Sequence, residues 1–127
     1  MGENMEIIYA TSKVYKQCTS LEVARKLFGG RELLAISLLA RINALKSASS
    51  IKDIVVQKPF RFHQLKNIKG NNLEGFFAID VKTKQDPWRL ILRPLDRDKQ
   101  PFVPCNISEI ADTVEIVEIR EVSKHYE

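Results

Sequence analysis

Gly75-Phe76-Phe77-Ala78-Ile79-Asp80-Val81-Lys82 and Trp88-Arg89-Leu90-Ile91-Leu92-Arg93-Pro94 are two apolar runs with a turn near Gln85-Asp86-Pro87 between them, and they decide the fold class. Short apolar runs bounded by turn formers read as antiparallel neighbours in a sheet. Successive side chains of a strand point to opposite faces, so Trp88, Leu90 and Leu92 share one face while Arg89, Ile91 and Arg93 share the other. Upstream, Phe60-Arg61-Phe62-His63 divides in the same way, with Arg61 and His63 opposite the two phenylalanines. A strand is expected over Phe60–Leu65, followed by a turn through Lys69-Gly70-Asn71-Asn72. Pro94 is expected to stop the strand that begins at Trp88. The last strand, Thr113–Val122, has Val114 and Ile116 in one phase and Val117 and Ile119 in the other, which requires cover on both faces or a bulge.

The amino-terminal third reads differently. Glu6–Tyr15 is expected to open the fold as a strand. Thr19 or Ser20 then caps a helix from Leu21, and Gly29-Gly30 ends it after Phe28. A second helix is expected from about Arg31 to Lys46. Leu34, Leu38, Ile42 and Leu45 follow one side of it, and Leu33, Ile36, Leu39 and Ala40 widen the apolar stripe. The wide stripe reads as core under a small sheet, or as a surface for a protein partner. Asp96–Asp112 is a long connection with a helical turn near Ile107–Ala111.

These elements predict an α+β fold, with two helices packed on one face of a mostly antiparallel, twisted sheet, in a single domain spanning residues 1–127. An apolar fraction of 44% and a charged fraction of 28% belong to an ordinary globular chain rather than a disordered one. No apolar run is long enough for a membrane span, and Met1–Glu6 lacks the hydrophobic stretch of a secretory signal, so a cytoplasmic location is expected. Cys18 and Cys105 are too few for a metal cage and are read as structural thiols. The net charge of +4 is uneven: residues 51–100 hold eleven Lys/Arg against six Asp/Glu, while residues 101–127 hold two against six. The positive surplus therefore travels with the Arg/His strands, and their outer face is expected to be basic.

A basic sheet face fits a phosphate-bearing partner. The chain has no Gly-rich phosphate loop, zinc spacing or Gly-x-Ser-x-Gly elbow, so neither a metal nor a cofactor is expected. Metal-free cleavage of RNA needs only groups that orient the backbone, move protons and stabilise phosphoryl charge, because the ribose 2′-hydroxyl is the nucleophile. Arg, Lys, His and Tyr are sufficient for this. Each of these residues also has an uneventful reading: His63 as an exposed strand histidine, and Arg89 and Arg93 as cross-strand partners of Asp80 or Glu118.

The order strand, helices, Phe62-His63-Gln64-Leu65-Lys66, the two apolar runs and a terminal Glu121-Val122-Ser123-Lys124-His125-Tyr126 resembles the RelE/ParE toxin superfamily, and within it the HigB-like toxins. The resemblance covers nearly the whole chain and rests on the order and spacing of short motifs. It implies a RelE-like fold and a ribosome-dependent mRNA endonuclease. It also implies a bacterial toxin silenced by a small antitoxin, often a helix-turn-helix protein through which alone operator DNA is bound. By the same resemblance His63, Arg89, Tyr126 and Lys82 are the catalytic residues; Arg61, Lys66, Lys69, Arg93 and His125, basic residues around them, are expected to contact RNA. The chain departs from the family in its ending, where His125 precedes Tyr126 and none follows it. Two rival expectations are a ParE-like inhibitor of DNA gyrase and a non-catalytic RNA-binding or regulatory module.

Overall fold

The computed structural model describes residues 4–66 and 73–124. Strand β1, Glu6–Tyr9, is shorter than its sequence predicts, because Thr11 takes extended geometry and its hydroxyl accepts the Val14 amide at 3.1 Å. That cap starts helix α1, Ser12–Thr19, in place of the expected continuation of the strand to Tyr15. Val14, Gln17 and Cys18 are its buried positions, a helical rather than a strand spacing. Ser20 caps α2, Leu21–Leu27, through the Val23 amide at 3.2 Å. Gly29 and Gly30 close it in left-handed geometry, at φ +64° and +90°, with Gly30 N–H donating to the Arg25 carbonyl and Gly29 N–H to that of Lys26.

Helix α3, Glu32–Ser47, buries Leu34, Ala35, Leu38, Ile42 and Leu45. Leu39 packs half-buried against the core, whereas Leu33 and Ile36 are 67% and 48% exposed. Short helices α4, Lys52–Val55, and α5, Ile107–Ile110, complete an α+β fold with five α-helices among the described residues, rather than two packed helices alone.

The remaining strands are β2, His63–Gln64; β3, Phe77–Asp80; β4, Arg89–Leu95; and β5, Ile116–Ser123. The five form one mixed sheet in the order β1-β5-β4-β3-β2, antiparallel except for the β1–β5 pair. The expected strand from Phe60 is corrected: Lys58–Phe60 is a 3-10 turn and Arg61 is left-handed at φ +51°, so pairing begins only at His63. Pro94 does not end β4 either. It pairs with Val117 of β5, and β3 has no residue in register with it, its pairing with β4 reaching only to Leu92.

Two apolar clusters sandwich the sheet. The larger lies under the helices and includes Phe77, Ile79, Leu90, Leu92, Val117 and Ile119. The smaller, on the outer face, is Leu65, Leu73, Phe76, Ala78 and Ile91. Among the described residues no helix is long and apolar enough to cross a membrane.

Cys18 and Cys105 are both free thiols. Burial pushes the Cys18 thiol from 9.0 to about 12, and burial, with Cys18 and Tyr15 nearby, pushes the Tyr9 hydroxyl from 10.0 to about 12. Both groups are held neutral in the fold and ionise more readily in the unfolded chain, so they contribute stability that is complete below pH 9 and lost as the pH rises toward 12. Urea midpoints measured from pH 7 to 11 are expected to be flat at first and then to fall above pH 9. A Cys18→Ala variant should show a shallower fall.

Candidate functional site

Strand alternation places the outer-face residues in rows. Asp80, Arg89 and Ser123 form one; His63, Ala78, Ile91 and Glu121 form the next; Arg93 and Glu118 follow. By this register His63, Arg89 and Arg93 share the face opposite the helices, and Arg61, which lies outside the strand expected for it, reaches that face through its ion pair with Asp80. The face is not the open basic surface expected, for two reasons: Arg89 is buried, and carboxylates of β3 and β5 meet Arg61 and Arg93.

Arg89 is 3% exposed. Its Nε lies 3.3 Å from Asp80 Oδ1, and its terminal nitrogens donate to the carbonyls of Asp86 at 2.7 Å, Trp88 at 2.9 Å and Lys84 at 3.2 Å. The guanidinium staples the β3–β4 turn to the sheet, so Arg89 supports the fold at the position where the resemblance implies a phosphate ligand. Asp80, 1% exposed, also takes the Arg61 Nε on both oxygens, at 3.2 and 3.0 Å. Its paired arginines repay the desolvation of a buried carboxylate.

That ion pair sets the geometry of His63. Arg61 is held in a left-handed conformation that costs a non-glycine residue about 1 kcal/mol or more. Its carbonyl thereby meets His63 Nδ1 at 2.6 Å. A carbonyl only accepts, so Nδ1 carries the hydrogen and, in the neutral ring, Nε2 carries the lone pair. Nε2 is shielded from solvent and has no hydrogen-bond partner among the described residues. The fold has oriented this ring without using its second nitrogen. His63 sits on a two-residue edge strand paired on one side only.

Arg93, expected to bind RNA, is half-buried and pairs with Glu118 at 2.6 Å, the cross-strand alternative that its sequence context also allowed. Lys82 is separate from this cluster. It lines a groove of about 530 Å³ with Arg31, Leu33, Thr83 and Asp86, beside the start of α3. Lys66 is exposed, next to Glu74. Lys69, His125 and Tyr126 lie outside the described residues.

Two residues that sequence reasoning passed over belong here. Arg41 reaches from α3 to the Asp80 carbonyl at 2.9 Å and the Lys82 carbonyl at 3.2 Å, with its guanidinium 4.3 Å from the Phe60 ring centroid. Burial lowers its pKa and Asp80 opposes that shift. Its signal was a lone arginine between Ala40 and Ile42 in an otherwise apolar helical run. Arg120, the second, gives no such signal, because its placement depends on a bulge in β5.

No family model, curated protein or solved structure matches the chain.

Proposed function

We propose that this chain is a RelE-like, HigB-type toxin: a metal-independent, cofactor-free endoribonuclease that cuts mRNA on the ribosome. The observation that carries the reading is His63, whose Nδ1 is committed to the Arg61 carbonyl while Nε2 is unbonded among the described residues, on the sheet face that also bears Arg93 and Arg120. A ring held in this way can take the 2′-hydroxyl proton or protonate the leaving 5′-oxygen, and the guanidiniums supply charge for the phosphoryl oxygens. Tyr126, at a family position, is the other proton-transfer group in this proposal. A helix-turn-helix antitoxin silences the protein in the cytoplasm, docking on the helical side where Leu33 and Ile36 are exposed.

The burial of Arg89 and the shielding of His63 Nε2 favour a second reading, a non-catalytic RNA-binding module. Induced expression and primer extension separate the possibilities. Growth arrest with cuts inside translated codons is the expected result. Bound but intact mRNA turns the assignment to the binding module, and intact mRNA with gyrase-dependent DNA breaks turns it to a ParE-like inhibitor.

A further inference from the structure

We propose that Arg93 and Arg120 form a clamp for a phosphate group over the ring of Phe76, built by the bulge in β5. Ile91 of β4 faces Glu121, but its neighbour Leu92 faces Ile119, so Arg120 has no cross-strand partner. The extra residue keeps Ile119 and Val122 both in the helix-side core, which strict alternation between them would forbid. Arg120 is left as an additional side chain on the outer face. Its guanidinium carbon lies 4.9 Å from the Phe76 centroid, and that of Arg93 lies 4.9 Å from the same centroid. The two cations are therefore within about 10 Å of each other, gathered over one aromatic ring.

Local carboxylates do not satisfy them. Glu118 engages Arg93 through Nε, and Glu121 approaches Arg120 Nε only to 3.8 Å, between side chains 45% and 37% exposed. Among the described residues the terminal N–H groups of both arginines make no hydrogen bond. Two planar donors approaching from neighbouring strands match a tetrahedral group with several oxygens better than a flat carboxylate. His63 is two strands from Arg93, roughly 10 Å across the sheet and 7 Å along it, within reach of a nucleotide whose phosphate sits in the clamp. The clamp deepens the ribonuclease reading, and only its RNA arm rests on that reading; phosphate binding is independent of it.

The test follows the arginine Nε–Hε signals by NMR while inorganic phosphate, and separately a 2′-O-methyl RNA hexamer that lacks the nucleophile, is titrated into the full chain. Both ligands are expected to shift the Arg93 and Arg120 signals, the hexamer at lower concentration. Arg120→Ala should weaken hexamer binding at least about tenfold, and Arg120→Lys, which keeps the charge but loses the fork, should recover part of it. Phosphate binding at the two arginines without hexamer binding supports the clamp and removes RNA as its source. Wild-type affinity in folded Arg120→Ala, or Arg93 and Arg120 signals that stay in place as both ligands are titrated, would overturn it.

Discussion

Replacing His63 with asparagine is expected to lower RNA cleavage by a factor on the order of 100 to 10,000, the range typical for removal of a positioned proton-transfer group. Asparagine is the informative choice because its side-chain amide can still donate to the Arg61 carbonyl, the bond that Nδ1 makes at 2.6 Å, while nothing replaces Nε2. Thermal stability should therefore stay near wild type as the cleavage rate collapses. His63→Ala removes both roles and is expected to lose the same activity together with about 1 kcal/mol of stability, the net worth of one hydrogen bond. Single-turnover cleavage and calorimetry on the two variants check this together. Asparagine cleaving at the wild-type rate would remove His63 from the chemistry and favour the binding-module reading.

Asp80→Ala is expected to be the most destabilising single change on the outer face. Asp80 is 1% exposed and stands between Arg61 and Arg89, so its loss leaves the Arg89 guanidinium buried without its carboxylate. Breaking a buried pair from one side costs about 3–5 kcal/mol, which for a domain of this size lowers the melting temperature by roughly 10–20 °C. Arg89→Ala should be destabilising as well, because the carbonyls of Lys84, Asp86 and Trp88 lose their donor. Any fall in cleavage by Arg89→Ala is expected to track the folded fraction, and osmolyte stabilisation should restore it. A fully folded Arg89→Ala that binds RNA normally but does not cleave would return Arg89 to the site. Arg61 links the two networks: without Asp80 its left-handed backbone loses its tether, and with it the orientation of His63.

Much of this geometry is local and was legible in the chain. Alternation alone places Arg89, Ile91 and Arg93 on one face, because the period of a strand is two whatever it packs against, whereas Arg61 lies outside the strand expected for it and reaches that face through Asp80. Ser20 and the Gly29-Gly30 pair mark the ends of α2 for equally local reasons, an oxygen positioned to take an amide and two residues free to adopt positive φ. The α1 helix was missed because Val14 and Tyr15 suit a strand by composition, whereas the deciding feature was the Thr11 cap.

Whether a side chain on the correct face is open, paired or buried is not a local property. Residues 51–100 carry the positive surplus, but β5 lies beside β4 and brings Glu118 to Arg93. Asp80 faces Arg89 across a strand pair and draws it into the sheet, so a residue with the composition of a phosphate ligand becomes a support. The bulge that frees Arg120 exists only because Ile119 and Val122 must both reach the helix-side core. Sequence by itself determined which residues share a face, since backbone sterics act between near neighbours. Tertiary structure decided which of them are left to meet a ligand, since charge pairing and burial depend on strands far apart in the chain becoming neighbours in the sheet.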